Sequence, residues 1–379
     1  MPVHRILLAA ALGVVAAPPL AALPATAAPT CTNLSGSASA DLVRVQALDP
    51  HLFGAAQSPV NLRVAATRVT LSATHTSATA RSLDTPLAAA LTTATQQAPP
   101  APSATGNRVT SAPVDLGVTR VGTGDLRATA GWPTGSGCGT ASSRPAASSS
   151  AALADAFVLP RANGGAVLHA PRNLSSSADA SLTVRDGHLA TTVSARAALT
   201  ELRLFEGLAE SIQLRVVSAP VLTATAGTRS SVRYTSPVIE VHRPNGLTQS
   251  LDAPAKSIDI PTAAGTVRLS IGSVSQRITA TAVTAEAATL RVQLLGSGTT
   301  LLDVGIGVLQ VSAGVPVEAA PVPAPAGTLP VTGFDAGWLI GVGLLVAIGG
   351  RLLLVLSRRR VSPVAGGPTS SEPAPEAGS

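Results

Sequence analysis

The residues able to do chemistry are few and scattered. Away from the start of the chain the histidines are His51, His75, His169, His188 and His242. None stands at the His-x-His or His-Glu-x-x-His spacing that places two imidazoles on one metal ion, so no metal site is expected. Serine is abundant, but the Gly-x-Ser-x-Gly turn that exposes a nucleophilic serine is missing. Glu201, Glu206 and Glu210 fall four to five residues apart. On a helix they would offer paired carboxylates for acid–base work. The intervening Leu202-Arg203-Leu204 alternates as a strand does, which reads the three as solvated side chains. Gly305-Ile306-Gly307 lacks the third glycine and the basic partner of a phosphate loop. Trp132, in a Gly/Pro-rich loop near Cys138, is the best-placed aromatic for stacking on a sugar, with packing over the cysteine as the alternative. No catalytic residue and no cofactor are expected.

The elements that would carry these residues read as strands. Of 379 residues 45% are hydrophobic but only 2% aromatic, so any core must be built from Val, Leu, Ile and Ala. Alternation marks strands at 41–45, 60–64, 68–72, 114–118 and 125–128. Thr85 to Gln97 is expected as a short helix, with Thr85 as cap and Pro86 in its first turn. Residues 141–152, rich in Ser, Ala and Pro, read as a linker. Beyond it, Asp186-Gly187 and Asn245-Gly246 sit between alternating runs and predict hairpins with primed turns. Further strands are expected at 202–204, 212–216, 267–271 and 290–294. The expected fold is mainly β: one or two antiparallel β-sandwich-like domains, a Pro-rich spacer and a single C-terminal transmembrane helix.

The ends of the sequence carry the address. Arg5, the apolar run Ile6 to Ala17, the prolines at 18, 19 and 24, and Ala25-Thr26-Ala27 read as a signal peptide over residues 1–27. Near the other end Leu329-Pro330-Val331-Thr332-Gly333 is followed at once by an apolar run from Phe334 to Leu356. Those 23 residues would form a helix of roughly 35 Å, enough to span a bilayer. Arg358-Arg359-Arg360 would hold the remaining tail, 357–379, on the cytoplasmic side.

Pentapeptide, span and basic cluster together resemble the cell-wall sorting signal of Gram-positive LPXTG surface proteins, and all five motif positions match. The resemblance implies that a sortase cuts between Thr332 and Gly333 and joins Thr332 to peptidoglycan. The implied partners are therefore sortase, peptidoglycan and, before processing, the membrane. Family tails stop a few residues past the basic cluster, whereas here Val361 to Ser379 adds 19 more. The Ala/Thr-rich layout is also similar to secreted surface proteins of high-GC actinobacteria that carry sortase signals.

Between the ends the sequence divides into a β-rich segment 28–140, the linker 141–152, a second β-rich segment 153–313 and a Pro/Ala spacer 314–328. In an exported chain the two cysteines, Cys31 and Cys138, are expected to form a disulfide bracketing the first segment. Residues 28–332 carry 21 basic and 17 acidic side chains, spread along the chain with few aromatics between them. That pattern argues against nucleic-acid binding. The expectation is a cell-wall surface protein, not an enzyme, with a structural or adhesion role. The alternatives are a wall-acting hydrolase, a carbohydrate-binding module, or a single-pass protein retained in the membrane.

Overall fold

The structure, a computed structural model, describes residues 31–32, 34–49, 61–86, 91–99, 106–132, 144–161, 165–296 and 299–318. All of them lie in one compact unit, Met1–Val322. Residues 1–27, expected as a signal peptide, Cys138, the expected sorting motif Leu329 to Gly333, the apolar run 334–356 and the tail lie outside the described residues.

Every regular element among the described residues is a strand, and no helix there is long and apolar enough to cross a membrane. In chain order these are β1 (Cys31–Thr32), β2 (Ser35–Leu48), β3 (Leu62–Ser72), β4 (Thr76–Asp84), β5 (Thr93–Ala98), β6 (Asn107–Ser111), β7 (Val114–Asp115) and β8 (Thr119–Val121). There follow β9 (Gly124–Ala130), β10 (Ala147–Pro160), β11 (Ala166–Arg185), β12 (His188–Ala198), β13 (Glu201–Glu206), β14 (Ile212–Ser218), β15 (Val221–Ala226) and β16 (Ser231–Thr235). The last eight are β17 (Val238–His242), β18 (Thr248–Leu251), β19 (Ser257–Thr262), β20 (Gly265–Ser270), β21 (Ser275–Ile278), β22 (Ala282–Gly296), β23 (Thr299–Gly314) and β24 (Val317–Glu318).

All but β1 and β24, which pair with each other, form two large antiparallel sheets. The first runs β19-β20-β22-β23-β2-β3-β4-β5, with β21 also on β22. The second runs β16-β15-β12-β11-β13-β14-β17-β18, and β10 joins β11 to β8 and β9, which carry β7 and β6. The sheets face each other strand over strand: β15 over β22 and β23, β12 over β23 and β2, β11 over β2 and β3, β10 over β3 and β4, β9 over β4 and β5. Between them lies an aliphatic core of leucine, valine and alanine, including fully buried Leu42, Leu62, Leu83, Leu126, Leu174 and Leu222. Each such leucine contributes about 1.5–3 kcal/mol of transfer free energy.

A crease crosses the first sheet. The buried positions of β2 are Ala38, Ala40 and Leu42, then Val43 and Val45; even numbers give way to odd. The same switch occurs at Ala65 in β3, Ser82 in β4, Gly307 in β23 and Thr289 in β22. These five residues stand opposite one another, and the ladder is interrupted at each. Ala65 and Gly307 take positive φ, 47° and 59°, which turns the pleat over and frees their carbonyls. Side chains satisfy both carbonyls. Ser176 of the opposite sheet donates to Ala65 O at 2.6 Å, and Thr289 Oγ1 donates to Gly307 O at 2.7 Å.

Several expectations meet the structure as drawn, and several do not. Asp186 (φ 52°) and Gly187 (φ 79°) form the two-residue primed turn of the β11–β12 hairpin. The Asn245-Gly246 hairpin exists, but only Gly246 has positive φ, and Gly246 N donates to Arg243 O while Arg243 N donates to Leu247 O. That is a longer turn closed by a glycine bulge, favoured by Pro244 at its second position. The helix expected over 85–97 is not formed at its C-terminal end: Thr93–Ala98 is a strand, paired from Thr76↔Ala98 to Arg81↔Thr93. Its β-branched Thr93 and Thr95 alternate with Ala94, which suits a pleat better than a helix.

The second half of the expected linker 141–152 is strand β10, with Ala147, Ser149 and Ala151 buried in alternation. The division at that point also fails. β2 pairs with β23 over most of its length, so both sheets draw strands from the expected segments 28–140 and 153–313. Likewise the expected spacer 314–328 begins late, because Val317–Glu318 pairs with Cys31–Thr32.

Candidate functional site

The outer face of the second sheet carries one continuous cross-strand row. Asp115 stands opposite Arg120, Arg120 opposite Phe157, Phe157 opposite His169, and His169 opposite Arg203. Arg203 then faces Gln213, Gln213 faces His242, and His242 faces Thr248. Each residue is flanked along its strand by inward ones such as Val121, Ala156, Leu168, Leu204, Leu214 and Val241, whose burial fixes the register and so the row.

Several neighbours in the row touch, directly or through Glu201 and Glu206. Arg120 Nε donates to Asp115 Oδ2 at 3.0 Å, and its guanidinium lies 5.8 Å from the Phe157 ring centre. The Phe157 and His169 rings stack at 4.0 Å and 11°. His169 Nδ1 meets Glu206 Oε2 at 2.5 Å. Arg203 donates to Glu206 at 2.9 Å and to Glu201 at 2.6 Å, and Gln213 donates to Glu201 at 2.9 Å. His242 Nδ1 lies 3.0 Å from Thr248 Oγ1.

Glu206 reaches this face through a local device. Phe205 has φ 55° and is buried beside Leu204, so the strand reverses its pleat there and Glu206 points to the side of Arg203 and His169. Burial raises the Glu206 carboxyl pKa most, but the hydrogen bonds from Arg203 and His169 together outweigh it and leave it below the usual carboxylate range. The same contacts, first Glu201 and then Glu206, raise Arg203. Asp115 is lowered, first by the Gly117 N–H and then by Arg120.

The reading of Glu201, Glu206 and Glu210 as solvated is therefore corrected. Glu201 and Glu206 are clasped by one arginine, and the Glu210 carboxylate accepts from Ala263 N at 2.9 and 3.0 Å. They are tied because the topology brings β11, β14 and the β19–β20 turn beside them, which no local spacing reports. His169 is nearly buried in its stack, whereas His188 is exposed beside the Asp186-Gly187 turn, His242 lies more than a third exposed near its own, and His75 closes the tight turn from Ser72. His51 lies outside the described residues. Among the described residues no three His, Cys, Asp or Glu side chains converge as metal ligands. Trp132 is half-buried against the core. Cys31, in β1, stands opposite Glu318.

Chemically the row is paired and held. Both accessible carboxylates of β13 are engaged, and the Phe157 ring meets His169 by stacking and Arg120 at its other contact. Cross-strand pairs of this kind contribute about 0.2–1 kcal/mol each, so the row stiffens a broad polar face. Comparison with known proteins finds no protein-family model, no curated protein and no solved structure that matches this chain.

Proposed function

We propose that the chain is exported and joined to peptidoglycan by a sortase, and that it serves at the cell surface as a structural or adhesive β scaffold rather than as an enzyme. One observation carries this reading: Leu329-Pro330-Val331-Thr332-Gly333 is followed directly by the apolar run 334–356 and Arg358-Arg359-Arg360. Motif, membrane stop and basic anchor stand in the order a sortase substrate needs. The aliphatic two-layer core and the paired side chains of the outer row are in keeping with a scaffold. The two layers read as a β-sandwich-like body followed by a short Pro-rich spacer.

Wall fractionation tests it. The intact protein is expected on fragments released by muramidase, and deletion of Thr332 and Gly333 is expected to shift it to the detergent-soluble membrane fraction. A protein that stays detergent-soluble in both cases is a retained single-pass protein, and the proposal is then wrong. The Cys31–Cys138 disulfide belongs to the same reading. Mass analysis after alkylation of the unreduced exported protein is expected to find no added alkyl group; two additions would refute the bond.

A further inference from the structure

A hollow lies on the outer face of the first sheet beside the crease. Three cross-strand rows border the hollow: Ser39, Arg68 and Thr79; Asp41, Ala66 and Arg81; Arg44, Arg63 and Asp84. Between the second and third rows run the inward residues Leu42, Ala65 and Ser82, and in the second row the small side chain of Ala66 leaves space between its larger neighbours. The result is a cleft of about 170 Å³.

Its charges do not balance. Three arginines, Arg63, Arg68 and Arg81, line it with Arg44 beside them, and two aspartates, Asp41 and Asp84, answer the four. Asp41, only 2% exposed although it points outward, takes Arg44 Nε at 2.8 Å, with Arg63 Nε at 3.8 Å. Asp84 takes Arg81 at 2.7 Å. Arg68 has no partner among the described residues, and Arg63 has only the longer contact. Arg63, partly buried, and Arg68, exposed, therefore line the hollow with donors to spare, and Ser39 and Thr79 line it with them. Planar guanidinium forks match the paired oxygens of phosphate and sulfate, and a partly enclosed setting strengthens such charge-assisted bonds.

We infer that this cleft binds a single tetrahedral oxyanion, a phosphate or sulfate group, between Arg63 and Arg68 over Ala66. Asp41 acts as a positioning residue: it fixes Arg44 and draws Arg63 to the cleft. The inference rests on the sheet geometry and stands apart from the anchoring proposal.

Calorimetric titration of the purified chain with inorganic phosphate and with sulfate tests it. Saturable one-to-one binding is expected, weakened as sodium chloride is raised. Arg68→Ala and Arg63→Ala are each expected to weaken it at least tenfold. Arg68→Lys, which keeps the charge but loses the fork, should fall between. Arg277→Ala, on β21 away from the cleft, should leave it unchanged, and thermal melting should match for all variants. Glycerol phosphate and a dialkyl phosphodiester then separate a terminal phosphate ligand from a backbone one. Absence of saturable binding, equal loss in Arg277→Ala, or acetate binding as tightly as phosphate would each overturn the inference.

Discussion

Ala65 and Gly307 show how one residue shapes a sheet. Each takes a left-handed backbone where the pleat turns over, and each hands its carbonyl to a side chain. Ser176→Ala would leave Ala65 O buried without its partner. An unsatisfied buried acceptor costs about 1–3 kcal/mol, so the urea midpoint should fall accordingly with an unchanged slope. Gly307 is held twice. Its φ of 59° disfavours any side chain, and an added Cβ would lie 2.4 Å from Thr289 Oγ1 and 3.2 Å from the Ala197 Cβ across the core. Gly187, by contrast, has φ 79° but open space around it. Gly187→Ala is expected to cost about 1 kcal/mol, and Gly307→Ala roughly 1–3 kcal/mol more. Equal losses in the two variants would mean that the packing against Thr289 and Ala197 does not matter.

At the scale of strands, charge decides where packing is thin. Arg108 of β6 and Arg127 of β9 stand directly opposite each other, which alone would push the strands apart. Asp125 lies between them, taking two bonds from Arg108 at 2.9 and 2.8 Å and two from Arg127 at 3.3 and 2.8 Å. The Arg108 bonds first, then Arg127, lower its pKa to about 2 from an ordinary 3.8. A folded-state value below the unfolded one stabilises the fold above about pH 4, and that stabilisation is lost as pH falls from 4 through 2. Asp125→Asn should flatten this acid limb in thermal melts between pH 2 and 4, while melting near pH 7 falls only modestly because the pair is solvent-screened. The strands that the sequence reveals are those whose inward positions are Val and Leu, such as Leu62-Arg63-Val64 and Leu290-Arg291-Val292. β10 hides because Ala147, Ser149 and Ala151 differ little in hydropathy from the outward Ser148, Ser150 and Ala152; its neighbours β9 and β11 make it a strand. The outer row was illegible for a related reason. Its members span residues 115 to 248 and meet only through pairing across eight strands. The face reversal at Phe205 leaves no local signature either.

For the whole molecule, the pairing of β2 with β23 matters most, because it makes the two halves of the described chain interdependent. β23 lies between β22 and β2, and β2 lies between β23 and β3. Residues 153–313 alone would keep β19 to β23 but lose β2 to β5, leaving β23 an exposed edge. The inward face of β11 would lose the layer it covers and that of β12 the β2 part of its own, including Leu42, Val43, Val64 and Val69. An open hydrophobic edge strand and an uncovered sheet face are both aggregation templates. The fragment 153–313 is therefore expected to be insoluble or without a cooperative melt, although its sequence reads as a self-contained β segment. A chain covering 28–328 should unfold in a single transition, with fluorescence of Trp132 and far-ultraviolet circular dichroism giving the same urea midpoint. Trp132 belongs to the first expected segment, and most strand residues belong to the second. Two separated midpoints, or a soluble fragment 153–313 with native-like cooperativity, would show that the halves fold independently and that the β2–β23 ladder joins two domains instead of building one.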